Sequence, residues 1–366
     1  MSSLSTRTCR IAVIPGDGIG QEVVPEGLRV LDRLAARSDG RLAFAFESFP
    51  WGCEHYLRTG RMMDEDGLQR LAGFEAIYFG AVGWPGVPDH VSLWGLRLAI
   101  CQGFDQYACI RPVQLLPGIT SPLRNATPET MDWVVVRENS EGEYAGVGGR
   151  NFAGRGSGHE VAVQGALFTE QGCERIVRYA FDLARTRASG TGRERRKVTS
   201  VTKSNAQQYG MTLWDDVFAR VAGDYPEVET EQWLVDAMAA RFVLRPETLD
   251  VVVASNLFGD ILSDLGSALA GSMGIAASAN IGPERRKPSM FEPVHGSAPD
   301  IAGQGIANPI AAIWTVALML EHLDLPEEAA SVMDAIRATT ASGLLTPDLG
   351  GTATTREVGD AILSHL

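Results

Sequence analysis

Val251-Val-Val-Val-Ala-Ser-Asn-Leu-Phe-Gly-Asp-Ile-Leu-Ser-Asp264 contains the change of periodicity on which the fold turns. Val251 to Ala254 is a short, unbroken apolar run, which suits a strand buried on both faces of a parallel sheet. From Asn256 onward the apolar residues (Leu257, Phe258, Ile261, Leu262, Leu265) fall at helical spacing. A helix there places Asp260 and Asp264 at i and i+4, on one face. Like charges so placed repel unless a cation or an arginine compensates. An isolated pair of this kind is ordinarily a solvated acidic face. Embedded among apolar residues, the two carboxylates suit a hard divalent ion instead, Mg2+ or Mn2+.

The same strand-to-helix change recurs along the chain. Arg10-Ile-Ala-Val-Ile-Pro15 reads as a buried strand, followed by a glycine turn, Gly16-Asp-Gly-Ile-Gly20, and a helix carrying Val23, Val24, Leu28, Leu31 and Leu34. Ala76 to Phe79, Trp133 to Val136 and Val198 to Val201 read as further strands, with helices over Thr169 to Arg187 and Met211 to Ala222. This alternation predicts an α/β architecture. Four strands end at polar residues, Asp17, Arg137, Lys203 and Asn256, and ligands gather at the carboxyl ends of strands in such sheets. The glycine turn is not a dinucleotide fingerprint. GxGxxG needs a third glycine where Gln21 stands, so a tight turn is expected and a Rossmann site is rejected.

Composition narrows the function. At 366 residues, 45% hydrophobic and 21% charged, the chain is long enough for two lobes with substantial cores. A net charge of −13 opposes nucleic-acid binding. An anionic substrate must then find arginines gathered locally. Five scattered cysteines without a CxxC pair indicate neither a disulfide framework nor a zinc site. Met1 to Arg10 lacks an apolar signal core, and the greasiest stretch, Ile310 to Leu320, is too short to span a bilayer. A cytoplasmic protein with no membrane partner is expected.

Other residues carry chemistry. Asp236 interrupts the apolar segment Leu234-Val-Asp-Ala-Met238, a third carboxylate candidate. Lys203 follows a hydrophobic strand; alone it is a surface lysine, but partly buried beside a metal it could serve as a general base. Arg97, Arg111 and Arg137 adjoin apolar sequence and could grip carboxylates as planar forks, although structural ion pairs account for them equally well. The segment from Glu292 to Asn308, Glu-Pro-Val-His-Gly-Ser-Ala-Pro-Asp-Ile-Ala-Gly-Gln-Gly-Ile-Ala-Asn, combines small residues with specific polar ones and reads as a binding loop.

Together these motifs resemble the β-decarboxylating dehydrogenases, the family of isocitrate, isopropylmalate, homoisocitrate, D-malate and tartrate dehydrogenases. The resemblance runs from Ile14-Pro-Gly-Asp-Gly-Ile-Gly20 to Gly350-Gly-Thr-Ala-Thr-Thr-Arg-Glu-Val-Gly-Asp360, and Pro88 to Tyr107 is most similar to the tartrate and D-malate members. It implies an isopropylmalate-dehydrogenase-like two-domain α/β fold rather than a Rossmann fold. A large cofactor domain would comprise residues 1–106 and 271–366, and a small domain residues 107–270, with substrate, metal and dimer-interface residues. It also implies that Asp260 and Asp264 of one subunit and Asp236 of the other bind Mg2+ or Mn2+ in a homodimer with shared active sites. Lys203 of the neighbouring subunit would be the base, Tyr144 the proton donor, and Arg111 and Arg137 the carboxylate grips. Glu292, His295, Gly296, Ser297, Ala298, Asp300 and Asn308 would bind the cofactor. Asp300 favours NAD over NADP, because a carboxylate accepts from ribose hydroxyls and repels a 2′-phosphate.

The chain departs from the family at one place. Counting back from Phe104-Asp-Gln-Tyr107, the family's first substrate arginine falls on Cys101, with Arg97 one helical turn earlier. Either Arg97 reaches in to replace it, or the substrate lacks what that arginine holds. A cation there disfavours the apolar branch of isopropylmalate and favours a small C4 diacid. The expected function is oxidation and decarboxylation of D-malate or tartrate. The alternatives are a 3-isopropylmalate dehydrogenase or a paralogue acting on another 2-hydroxy acid, and a non-catalytic regulatory subunit, which the complete catalytic set disfavours.

Overall fold

The computed structural model describes residues 6–191 and 196–366, so part of the polar stretch Met1 to Arg10 lies outside the described residues. In chain order the strands are β1 (Arg7–Gly16), β2 (Leu42–Ser48), β3 (Ala76–Ala81), β4 (Ala108–Gln114), β5 (Asp132–Glu138), β6 (Gly148–Asn151), β7 (Val161–Gln164), β8 (Lys197–Thr202), β9 (Glu229–Leu234), β10 (Val251–Ala254), β11 (Ala277–Ile281) and β12 (Ser289–Pro293). Two units share them. The first comprises Met1–Gln106, Arg111–Met131 and Gly266–Leu366; the second comprises Tyr107–Ile110 and Asp132–Leu265. β4 carries the chain from the second back into the first.

In the first unit the strand order is β2-β1-β3-β12-β11, parallel except for the antiparallel pair β11 and β12. Helix Gly20–Arg37 follows β1 directly and buries Val23, Val24, Val30, Leu31 and Leu34. Its start lies tight against the sheet: a β-carbon on Gly20 would stand 2.2 Å from the Pro15 carbonyl oxygen. Helix Ile310–His322 contains the greasy stretch seen in the sequence and is buried almost throughout. A second apolar cluster gathers Phe49, Trp51, Phe74, Phe79, Ile100, Cys101 and Met290. The five cysteines are all buried, and none of them forms a disulfide.

In the second unit the order is β5-β10-β8-β9, all parallel. Trp133 packs edge-on against Phe242 within it, with ring centres 5.4 Å apart. β6 and β7 form a separate antiparallel ribbon whose residues are all exposed. Several of these strands escape sequence patterning for a physical reason. β9 (Glu-Thr-Glu-Gln-Trp-Leu) is a partly exposed edge strand, and β11 is built from small residues. No helix among the described residues is long and apolar enough to cross a membrane.

Two stability predictions follow from packing. An exposed helical glycine gains about 1 kcal/mol on replacement by alanine. Gly20→Ala has the opposite sign, because the carbonyl it meets belongs to the backbone and cannot rotate away. We expect a loss of about 1–3 kcal/mol, read from the urea midpoint. His322, at the end of its helix, is pushed down to about 4 by burial, with the positive charge of Arg285 adding to the effect. Its folded pKa therefore lies below the unfolded value of about 6.5, so its contribution is complete above that value and is lost as pH falls towards 4. The stability difference between the wild type and His322→Gln should shrink across this window; a difference independent of pH would refute the assignment.

Candidate active site

Arg137 stands opposite Ala254 in the parallel pair of β5 and β10, so it emerges beside the start of helix Asn256–Leu269. The residue is 2% exposed, and its charge must be met within the protein. Nε and Nη2 donate to Asn256 Oδ1 at 3.0 and 2.7 Å, and Nη1 donates to Asp260 Oδ1 at 2.5 Å. The Tyr144 hydroxyl donates to Asp260 Oδ2 at 3.1 Å, and its ring lies 5.4 Å from the same guanidinium. The helix comes this close because residue 259 is glycine. A β-carbon there would stand 2.7 Å from Arg137 Cβ. Asp264 follows one turn later, exposed, on the same helical face.

Lys203 and Asp236 form a second group. Thr202 and Leu234 are in register at the ends of β8 and β9, and these two residues follow them closely. Lys203 Nζ donates to Asp236 Oδ1 at 2.5 Å, and that hydrogen bond holds the Asp236 carboxyl below the usual carboxylate range. A single chain thus joins Arg137, Tyr144 and Asp260 in one cluster, and Lys203 with Asp236 in another. Among the described residues, no three histidine, cysteine or carboxylate side chains within one chain are placed to hold a metal. Asp260 and Asp264 do fit a hard cation as donors. They present carboxylate oxygens on one helical face, and both oxygens of Asp260 are oriented, one by Arg137 and one by Tyr144.

The first unit holds the loop from Glu292 to Asn308. His295 Nδ1 lies 3.0 Å from the Gly296 carbonyl oxygen, while its buried Nε2 has no hydrogen-bond partner among the described residues. Burial holds this imidazole below its ordinary pKa, so the ring is neutral at neutral pH. An open, buried ring nitrogen is a group poised for a ligand. Gly296 and Asp300 are exposed, and Ala298 takes a left-handed φ of 41°. Ser297 is buried, its carbonyl accepting from the Ile19 N–H at 2.9 Å. These five residues suit contact with a cofactor. The two end residues of the loop are engaged within the chain. Asn308 Oδ1 accepts from the Ile310 N–H and Nδ2 donates to Asp348 Oδ2, both at 3.0 Å.

Glu292, 5% exposed, holds Arg97. Arg97 closes a π-helical turn, Leu93–Arg97, a geometry frequent at functional positions. Its Nε donates to Glu292 Oε1 at 2.7 Å and its Nη2 to Asn280 Oδ1 at 3.2 Å, while Asn280 Nδ2 donates to Glu292 Oε1 at 2.7 Å. Cys101 lies in the apolar cluster with Leu96, Ile100 and Phe104. Arg111 is buried, in the part of β4 belonging to the first unit. Sequence reasoning missed Asn280 and Asp348. The only available signal was polarity in place of an apolar residue, as for Asn280 inside strand β11.

A profile of the isocitrate/isopropylmalate dehydrogenase family matches residues 10–362. A protein of Agrobacterium vitis named as a probable tartrate dehydrogenase/decarboxylase is 58% identical over 360 residues, covering 98% of this chain and 96% of the relative. A D-malate dehydrogenase (decarboxylating) of Escherichia coli K12 is 52% identical over 363 residues, covering 97% and 98%. Among solved structures, isocitrate dehydrogenase from Methylococcus capsulatus superposes with a TM-score of 0.84 at 33% identity, over 98% of this chain and 99% of that one.

The buried Arg97–Glu292 pair makes its own prediction. Arg97→Leu strands a buried carboxylate and should cost about 3–5 kcal/mol. Adding Glu292→Gln to the same chain should restore much of that loss in a denaturant titration. If the single variant is as stable as the double one, the pair carries no structural weight.

Proposed function

The chain belongs to the isocitrate/isopropylmalate dehydrogenase family, and we propose that it oxidises a small C4 2-hydroxy diacid, D-malate or tartrate, and decarboxylates the β-keto acid so formed. NAD is the proposed hydride acceptor, with Mg2+ or Mn2+ as the metal. The names carried by relatives at 52–58% identity support the substrate class. The observation that carries the reading is the Arg137–Asp260–Tyr144 cluster. It sets a carboxylate-binding fork, a metal-type ligand and a phenol within hydrogen-bond reach at the carboxyl ends of parallel strands.

In this reading Arg111 and Arg137 hold the substrate carboxylates, and Asp260 and Asp264 receive the metal together with Asp236 of the partner subunit. A bound metal would supply positive charge to polarise the substrate oxygen, and NAD would be the hydride acceptor. Lys203 of the partner subunit removes the hydroxyl proton. Tyr144 returns a proton to the carbon from which CO2 leaves. The exposed Asp300 carboxylate favours the ribose hydroxyls of NAD over a 2′-phosphate. Arg97, with Glu292 as its partner, keeps the variable end of the substrate site polar, where the branch of isopropylmalate would bury at a cost.

A homodimer fits the division of the groups: Asp236 stays with Lys203 in its own chain, so it would complete a site only in a second copy. Apolar side chains left exposed on the second unit support such a partner, among them Ile261 (57%) between the two aspartates and Val161 and Val163 on the ribbon. We place the enzyme in the cytoplasm.

NADH formation with Mn2+ should be greatest, by kcat/KM, for D-malate or a tartrate isomer among D-malate, L- and meso-tartrate, isocitrate and 3-isopropylmalate, and should vanish with chelator. Comparable values for D-malate and 3-isopropylmalate would defeat the substrate assignment. Sharing of sites has a separate check. Lys203→Ala and Asp260→Asn should each be inactive. Unfolded and refolded together in equal amounts, they should recover about a quarter of wild-type activity, since half the dimers are mixed and each mixed dimer has one intact site. No recovery would count against a shared site.

A further inference from the structure

The glycine turn at Gly16 to Gly20 has another role. Ile19 N–H donates to the Ser297 carbonyl at 2.9 Å, and a β-carbon on Gly18, where φ is +55°, would stand 2.0 Å from that same oxygen. Glu22, in the first turn of the following helix, accepts the Gly303 N–H on Oε1 at 2.6 Å and the Gly305 N–H on Oε2 at 2.8 Å. Gly303 and Gly305 both have positive φ, 81° and 69°, so the loop folds its amides into a concavity that the carboxylate fills. Ile19 and Val23 pack beneath Ala298, Ile301, Ala302 and Ala307. The loop from Ser297 to Ala307 therefore rests on the start of the first helix through one backbone bond, one two-pronged carboxylate and an apolar patch.

We propose that Glu22 is a positioning residue for the cofactor: it fixes the backbone on which His295, Ala298 and Asp300 are carried, and so sets affinity for the dinucleotide without touching it. The proposal rests on the reading that this loop binds NAD. A carboxylate satisfies both amides; a carboxamide presents an oxygen to one and an N–H to the other. Gln at position 22 keeps shape and burial while breaking one of the two charge-assisted bonds. The loop then samples conformations that do not hold the cofactor, and apparent affinity falls by the fraction lost.

The test uses the full-length enzyme, with NADH binding followed by fluorescence alongside both KM values and the melting temperature. Glu22→Gln should bind NADH about tenfold more weakly. KM for the acid should remain within about twofold, and kcat at saturating NAD should be unchanged. Glu22→Asp, which keeps the charge but falls one methylene short, should lie between the two. An Asp300→Ala control separates the two claims. If that control loses NADH affinity and Glu22→Gln does not, the inference is wrong while the loop's assignment stands. If neither variant loses it, the cofactor reading of the loop has failed. If Glu22→Gln raises both KM values together and lowers the melting temperature, its role is merely structural, and the proposal is overturned.

Discussion

A guanidinium that is 2% exposed cannot remain without a counter-charge, and much of the second unit is arranged around that of Arg137. The need is met from helix Asn256–Leu269, whose first residue and fifth, Asn256 and Asp260, both turn to the same fork. To reach it the helix must lie almost on the arginine's own β-carbon, which only Gly259 allows. Strand β10 must end where it does so that the helix begins at the right height. Once Asp260 is committed to Arg137 on one oxygen and to Tyr144 on the other, its orientation is fixed before any ligand arrives. That is preorganisation in the electrostatic sense, in which dipoles and charges are aimed in advance rather than recruited.

The first unit solves a different problem, that of holding a long loop still. Loops of this length without secondary structure of their own carry a substantial ordering cost. Here the cost is offset at each end by side chains turned inward. Glu292 is bound to Arg97 and Asn280, and Asn308 to Asp348 and the backbone of Ile310. Between those anchors Asp300 is exposed, while the His295 ring is largely buried with its Nε2 unbonded among the described residues. Cys101 packs in the apolar cluster, while the arginine at 97 is tied to the loop's first anchor. The Arg97 guanidinium is thus part of what steadies the loop.

Sequence was informative wherever burial was uniform. Val251 to Ala254 and Trp133 to Val136 betray their strands because both faces are covered, so nothing polar interrupts the run. Asp260 stood out for the converse reason, an acid among apolar residues, of which Phe258 and Leu262 are buried and Ile261 is exposed. The partners of these groups could not be read, since they come from far away in the chain: Arg97 and Glu292 are 195 positions apart, and Arg137 and Asp260 are 123 apart. The edge strand β9 and the exposed ribbon of β6 and β7 lacked a pattern because their side chains face water. The glycine turn, expected from its spacing to be a tight turn, lies close against the Ser297 carbonyl, which accepts from the Ile19 N–H. The bonds of Glu22, just beyond the turn, come from residues 281 and 283 positions away and so left no mark in the local pattern.

The interrupted layout of the first unit bears on how the chain is born. Its N-terminal strands leave the ribosome with no partner for Ile19, Val23 or Glu22, because the residues that cover them are among the last third to be synthesised. Asp132 to Leu265 emerges in between as an almost continuous block, able to collapse on local contacts while the earlier segment waits. Nascent chains of this protein should thus pass through a stage in which the middle is shaped and the start is still sticky, which is the interval in which a holdase chaperone has most to protect.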